Sequence, residues 1–189
     1  MSQVNVFLEV CKNNFKIPTY ANNGDSGMDI YAAEDITIYP NQTLIIPTGL
    51  KFAIPIGYEI QVRPRSGLSY NTPLRISNSP GTIDSGYRNE LGIIITNTSP
   101  EFMYKINNIL NKCFNFIYKY VFFSKIKTFQ LPIYGLKSTG NKKGIYEIKK
   151  GNRIAQIVLQ SVPTMNFIIV NDVAKIGKNR NGGIGSTGI

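Results

Sequence analysis

Asp84 and Tyr87 are the residues of this sequence best suited to act together in chemistry. They lie in the segment GTIDSGY at 81–87, where glycines bound a tight turn, and an apolar run follows at 91–95. Charged residues in loops on a stiff β scaffold are common functional sites. A carboxylate and a ring on one turn can hold a small planar ligand and activate a water beside it. The segment alone fits equally well a β-hairpin in which Asp84 caps the turn and Tyr87 packs.

The chain contains no histidine, and its cysteines are Cys11 and Cys113. Histidine-dependent triads, cysteine–histidine pairs and histidine-ligated zinc are therefore excluded. Acid–base chemistry must depend on carboxylates, tyrosine, lysine or bound water. Two cysteines make neither a disulfide framework nor a zinc cluster, which predicts a reducing, cytoplasmic location.

A length of 189 residues predicts one domain, or one domain plus an insertion. Short apolar or alternating runs separated by Gly/Pro turns predict an all-β, antiparallel, jelly-roll-like barrel. A helical turn is expected at 68–74, ended by Pro73, and the N-terminal segment predicts a strand and no signal peptide. No membrane-spanning segment is expected. The predicted strands are 4–10, 36–38, 43–47, 58–62, 91–97 and 154–161.

The segment 101–145 differs from the rest of the chain. Residues 101–150 contain ten lysines and two glutamates, so most of the net charge of +10 belongs here, and no nucleic-acid partner is expected. Apolar residues recur at helical steps, which predicts an amphipathic helix in an insertion that interrupts a hairpin between Ile95 and Ile154. A surface insertion is favoured over a membrane- or partner-binding role. The predicted stripe is Met103, Ile106, Leu110, Cys113, Ile117 and Val121.

Two further clusters carry charged, amide or hydroxyl side chains at turns. In PRSGLS at 64–69, Arg65 and Ser66 precede Gly67, whose missing Cβ lets backbone amides approach an anion. In GNRIAQIV, Arg153 and Gln156 open a predicted strand. Each cluster by itself also fits a plain turn or an edge strand with a solvated arginine.

Carboxylates and glycines supply the last two clusters. In GDSGMDIY, Asp29 comes just before a predicted strand with Asp25 nearby, which alone fits a polar turn with capping carboxylates. The barrel is expected to span 1–174, and 175–189 to form a Gly-rich tail. Such a tail is usually a frayed terminus, yet Arg180, Ser186 and Thr187 suit a flexible flap that closes over an anion.

Taken in order, the five clusters at 24–33, 64–69, 78–88, 151–159 and 180–188 resemble the five motifs of the trimeric deoxyuridine triphosphatase (dUTPase) family. The resemblance covers nearly the whole chain apart from 101–145. It implies a Mg²⁺-dependent homotrimer that hydrolyses dUTP to dUMP and pyrophosphate, with each site assembled from three subunits. That activity would keep uracil out of DNA and supply dUMP for thymidylate synthesis.

The resemblance also implies a role for each residue. Asp84 would activate the attacking water, and Tyr87 would pack on the deoxyribose and exclude a 2′-hydroxyl. Asn78 and the backbone near Thr82 and Ile83 would recognise uracil. Asp29 would support the site near a Mg²⁺ held mainly by the triphosphate, with no direct protein ligand. The phosphate-binding residues would be Arg65, Ser66, Gly67, Arg153, Gln156, Arg180, Ser186 and Thr187.

Three departures from the family pattern stand out. Ile184 occupies the place of a tail aromatic residue and would cover uracil without a ring, which can cost about 1–1.5 kcal/mol. Asn152 replaces an acidic residue before Arg153 and removes charge support for that arginine. Asn89 replaces a glycine after the Tyr87 turn.

Two alternatives remain. The related deoxycytidine triphosphate deaminases need a glutamate about where this chain has Ile94, in the aliphatic stretch LGIIITN. A non-catalytic nucleotide sensor or partner-binding protein on the same scaffold is supported only by the basic insertion.

Overall fold

A computed structural model describes residues 3–12, 16–100, 109 and 144–179 of the chain. The predicted helical stripe and residues 180–189 of the tail lie outside these ranges. None of the helices in the described ranges is long and apolar enough to cross a membrane.

The regular secondary structure of the described chain is almost entirely β-strand, as the sequence predicts. The strands are β1 (Phe7–Val10), β2 (Met28–Tyr31), β3 (Ile36–Ile38), β4 (Thr43–Pro47), β5 (Leu50–Ala53), β6 (Tyr58–Arg63), β7 (Leu74–Ile76), β8 (Gly81–Ile83), β9 (Gly92–Asn97), β10 (Tyr146–Ile148) and β11 (Arg153–Ser161). A short helix, α1 (Ser66–Asn71), follows β6, and a 3-10 turn lies at Val173–Lys175. The helix begins two residues before the predicted helical turn.

All strand pairs in the described chain are antiparallel. They form four sheets in the orders β1-β5, β10-β3, β2-β11-β6-β8 and β4-β9-β7. The predicted hairpin between Ile95 and Ile154 is wrong, because β9 pairs with β4 and β7 whereas β11 pairs with β2 and β6. Chain neighbours on either side of the insertion therefore belong to different sheets, as in a jelly-roll-like barrel.

One aliphatic core joins the four sheets. Alternation places every second side chain of β9 inside, and Ile93 and Ile95 are almost completely buried. Each such side chain contributes about 1.5–3 kcal/mol through burial. The fully buried aliphatic members of this core are Ile30, Ile38, Ile46, Leu50, Leu91, Ile93, Ile95 and Ile154.

Asn97 fastens the two ends of the insertion to the barrel. Its side-chain amide donates to the carbonyl oxygens of Ile38 and Gly144, at 3.0 and 2.8 Å, and its oxygen accepts from the Ser99 amide. Gly144 has φ +72°, and a Cβ there would lie 3.1 Å from the Ser99 Cβ. The chain therefore leaves and re-enters the barrel at neighbouring points, so the two ends of the insertion lie side by side.

We expect a chain in which a Gly-Ser-Gly linker replaces residues 101–143 to fold. Shortening a closed loop lowers the entropic cost of closing it, so the free energy of unfolding should rise by up to about 2 kcal/mol. The measurement is urea unfolding followed by tyrosine fluorescence, since the chain has no tryptophan. The full-length chain is the control, and a shortened chain that unfolds at lower urea would show that the insertion supports the barrel.

Candidate active site

Asp29 holds two of the predicted site arginines. Arg65 Nε donates to Asp29 Oδ1 at 2.8 Å, and Arg153 Nη1 donates to Oδ2 at 3.2 Å. The Asp29 side chain is only 16% exposed, whereas that of Arg153 is 56% exposed. One carboxylate and two guanidinium groups leave a net positive charge with several N–H donors still directed outward. The cluster can bind a multiply charged anion.

A bulge in β11 brings Arg153 to Asp29. Gln156 lies opposite Asp29 and Ala155 opposite Ile30, but the register shifts and Arg153 lies opposite Tyr31. Residues two apart on a strand share a face, so Arg153 stands on the face of Asp29. Without the bulge it would stand opposite Ala32, on the other face. A bulge of this kind redirects a side chain next to a site.

The same sheet face carries Gln156 in a polar row. Gln156 lies opposite Asp29 on one side and Arg63 on the other. Arg63 donates from Nε and Nη2 to Gln61 Oε1, which fixes its guanidinium group beside the row. The sequence motifs do not include Arg63, although the alternation Glu59-Gln61-Arg63 along β6 is a signal for one polar face.

The turn before Arg153 is fixed by side chains. Asn152 Oδ1 accepts from the Lys149 amide at 3.0 Å, and Asp35 Oδ1 accepts from the Lys150 amide at 2.7 Å. The Lys150 amide and the Lys149 ammonium hold the pKa of Asp35 below its usual value. Asn152 thus shapes the turn, and the charge partner that the sequence could not supply for Arg153 is Asp29.

Ser66 and Gly67 open α1 directly after Arg65, and both are exposed. A Cβ at Gly67 would meet no atom of the described chain within 4 Å, so this backbone faces open space. A cleft of about 560 Å³ separates α1 and β7 from β10 and the start of β11, with Arg65 and Arg153 on its wall. Together these features leave the cationic cluster accessible to a ligand.

The predicted uracil-binding residues surround β8. This strand pairs only with β6 among the described strands, so it is a sheet edge with backbone groups directed outward. Asn78 Nδ2 packs against Gly81, at 3.1 Å from the position of a Cβ there. Ile83 lies opposite the buried Ile60 and packs on the core. Its side chain therefore supports the strand, and only the backbone is available to a base.

Asp84 follows β8 and is exposed, with no hydrogen bond or ion pair of its carboxylate to another described residue. Its carbonyl oxygen accepts from the Tyr87 amide at 3.0 Å and closes the turn. Tyr87 is 38% exposed and donates its hydroxyl hydrogen to the Glu90 carbonyl oxygen at 3.0 Å. The expected hairpin is replaced by a turn between strands of different sheets, because β8 pairs with β6 and β9 with β4 and β7.

The two halves of the predicted site do not meet within one chain. Continuing the β6–β8 register puts Asp84 level with Glu59, whereas Arg65 lies beyond Arg63 at the other end of β6. Four residues of strand separate Glu59 from Arg63 by about 13 Å, and three strand spacings separate β8 from β2 by about 14 Å. The open carboxylate and the cationic cluster are therefore apart, while Arg180, Ile184, Ser186 and Thr187 lie outside the described residues.

The fold and the candidate site together define an all-β, antiparallel, barrel-like protein with a cationic cluster and a separate exposed carboxylate. The dUTPase family model matches residues 13–109. A deoxyuridine 5′-triphosphate nucleotidohydrolase of Picosynechococcus sp. is 35% identical over 93% of this chain and 92% of its own length. The chain belongs to the dUTPase family.

Solved structures agree with this assignment. A variant dUTPase of Staphylococcus bacteriophage 80alpha with dUpNHpp has a TM-score of 0.72 and 27% identity, covering 99% of this chain and 100% of its own. A variant dUTPase of phage phi11 of S. aureus, described for its coordination of a structural Mg(II) ion, has a TM-score of 0.64 and 25% identity, covering 90% and 99%. The chain thus shares the fold of solved dUTPases.

We expect Asp29→Asn to destabilise the protein by about 2–3 kcal/mol, because two arginines lose the carboxylate that neutralises them in a mostly buried site. Urea unfolding gives the free energy. Glu34→Gln is the matched control, since Glu34 is 53% exposed and contacts only Lys12 among the described ion pairs. Equal stability of the Asp29→Asn variant and the wild-type chain would show that the cluster contributes nothing to the fold.

Proposed function

We propose that the protein hydrolyses dUTP to dUMP and pyrophosphate, with Asp84 as the general base. The exposed Asp84 carboxylate at the end of a fixed strand is the observation that carries this proposal. Asp84 accepts a proton from water, and the water oxygen bonds to the α-phosphorus. The bond from that phosphorus to the bridging oxygen of the β-phosphate breaks, and pyrophosphate leaves with the bonding electrons.

Uracil recognition is assigned to the edge of β8. The outward N–H and C=O groups near Thr82 and Ile83 can pair with the base, and Asn78 offers both a donor and an acceptor. Cytosine would present donors and acceptors of the wrong kind and leave buried groups unpaired. The exposed ring face of Tyr87 lies on the same turn as Asp84 and would contact the deoxyribose.

The triphosphate is assigned to the cationic cluster. Arg65 and Arg153 supply fixed charge, and Gln156, Ser66 and the Gly67 backbone supply further donors. In the tail, Arg180, Ser186 and Thr187 are proposed to add contacts to the triphosphate. Ile184 is proposed to cover the base. Donors fixed before the reaction stabilise the charge that develops on the leaving group.

Mg²⁺ is proposed to enter with the triphosphate. No group of three or more metal-ligating side chains lies together in the described ranges, and both Asp29 oxygens already accept from arginines. This donor set fits an ion that is held mainly by phosphate oxygens and water. Mg²⁺ is commonly bound in this way. When bound there, the ion would neutralise phosphate charge and fix the conformation of the triphosphate.

A homotrimer with shared sites accounts for the separation of the two halves. A second chain would have to bring its cationic cluster to Asp84, since one chain keeps them apart. Residues 162–179 support the same proposal, because every one of them is exposed although the segment is rich in apolar side chains. Phe167 and Ile169 are 83% and 97% exposed, which favours an arm that packs on a neighbouring subunit.

The proposed activity would keep uracil out of DNA and supply dUMP for thymidylate synthesis in the cytoplasm. Deamination is the weaker alternative. Ile94 lies in β9 opposite Ile45, so the place where a deaminase needs its glutamate is aliphatic here.

We expect Asp84→Asn to lower kcat for dUTP by at least about a hundredfold while dUTP still binds, because the water loses its base. Pyrophosphate release with Mg²⁺ measures the rate for dUTP, dTTP, dCTP and UTP, and Asp25→Asn is the matched control. Undiminished dUTP hydrolysis by the Asp84→Asn variant would remove Asp84 from the mechanism.

Mixed trimers test the sharing of sites. Chains with Asp84→Asn and chains with Arg153→Gln should each be nearly inactive, and refolding them together should restore activity at sites that combine an intact Asp84 with an intact Arg153 from different chains. The measurement is dUTP turnover before and after co-refolding. If each site is built within one chain, co-refolding restores nothing.

A further inference from the structure

We infer that Glu90 is a positioning residue for discrimination between deoxyribose and ribose. The inference rests on the proposed dUTP hydrolysis and on the contacts between the Tyr87 turn and the β4–β5 connection. No motif in the sequence singles out Glu90.

Tyr87 is held by hydrogen bonds at its backbone and at the tip of its ring. Its backbone amide donates to the Asp84 carbonyl oxygen, and its hydroxyl donates to the Glu90 carbonyl oxygen, both at 3.0 Å. The ring is 38% exposed, so it can offer a face to a sugar without moving. A ring that excludes a 2′-hydroxyl must keep its position to within a fraction of an ångström, so the Glu90 backbone must itself be fixed.

The Glu90 side chain fixes that backbone on the barrel. Oε1 accepts from the Gly49 amide at 2.7 Å, and Lys12 Nζ lies 3.8 Å from the same oxygen. Gly49 has φ +74°, a conformation that glycine adopts readily, and a Cβ there would lie 3.2 Å from the Lys12 Cβ. The carboxylate thus accepts from the backbone amide of a buried residue.

The neighbouring residue adds to this anchor. The Leu91 amide donates to the Leu50 carbonyl oxygen at 2.8 Å, and the buried Thr48 hydroxyl donates to the Leu91 carbonyl oxygen at 2.7 Å. Together with the Glu90–Gly49 bond, these hydrogen bonds join Glu90 and Leu91 to residues 48–50. Among these three hydrogen bonds, only the one to Glu90 Oε1 involves a side chain of the Tyr87 turn. This bond connects the turn that carries the Tyr87 ring to the core.

The consequence is specific to selectivity. Glu90 touches neither the phosphates nor the attacking water in the proposed mechanism, so its loss should loosen the ring before it slows chemistry. Discrimination against UTP should fall, whereas turnover of dUTP should change less. If Glu90 had a merely structural role, its loss would lower kcat/KM for dUTP and for UTP equally.

The experiment measures kcat/KM for dUTP and for UTP with the wild-type chain, Glu90→Ala, Glu90→Gln and Tyr87→Phe. We expect Glu90→Ala and Tyr87→Phe each to lower the dUTP:UTP ratio about tenfold, and Glu90→Gln to keep it near wild type because its amide oxygen still accepts from Gly49. The double variant Tyr87→Phe/Glu90→Ala should lower the ratio no further, since both changes break one link. Glu9→Ala is the matched control, as Glu9 pairs with Lys51 in β1–β5 and does not contact the turn.

Equal losses for dUTP and UTP in Glu90→Ala, or additive losses in the double variant, would overturn the inference. If Glu90→Ala does not fold, Tyr87→Phe decides, and an unchanged ratio there overturns it too. A wild-type chain that fails to hydrolyse dUTP would instead overturn the proposed function and, with it, this inference.

Discussion

The shared carboxylate of Asp29 is the interaction on which the cationic cluster depends. Two guanidinium groups that contact the same side chain would repel each other. The mostly buried carboxylate between them offsets that repulsion and leaves several of their N–H donors free. Arg65 is the residue just before α1, and Arg153 directly follows the turn at 149–152, which the Asn152 side chain helps to fix. The two arginines of the cluster thus extend from two separate backbone turns.

The bulge in β11 shows how a change of register moves a side chain to the other face of a sheet. Two consecutive residues, Ile154 and Ala155, are buried, so alternation breaks at this point and Arg153 changes face. In a regular strand, Arg153 would lie on the face of the sheet opposite to Asp29. The ladder is thus irregular at the place where Arg153 joins the cationic cluster.

Sequence predicted the parts that repeat or that lie close together along the chain. Alternation revealed β4 and β6, and the ordered clusters located Asp29, Arg65 and Asp84. The strands absent from the prediction, β5, β7, β8 and β10, have only three or four residues, which gives alternation little to act on, although β3, of similar length, was predicted. The bond between Glu90 and Gly49 joins residues 41 positions apart and involves a backbone amide, so no local pattern signals it. The pairing partners of β9 and β11 depended likewise on distant strands.

Asn97 gives the barrel a property that concerns its evolution more than its chemistry. Because this buried amide closes the base of the insertion on Ile38 and Gly144, both ends of the interval are held by the barrel itself. A lineage that exchanged, lengthened or lost the interval would keep these two attachment points. The same closed base makes it a natural attachment point for a foreign peptide or domain, displayed at a fixed position on the barrel.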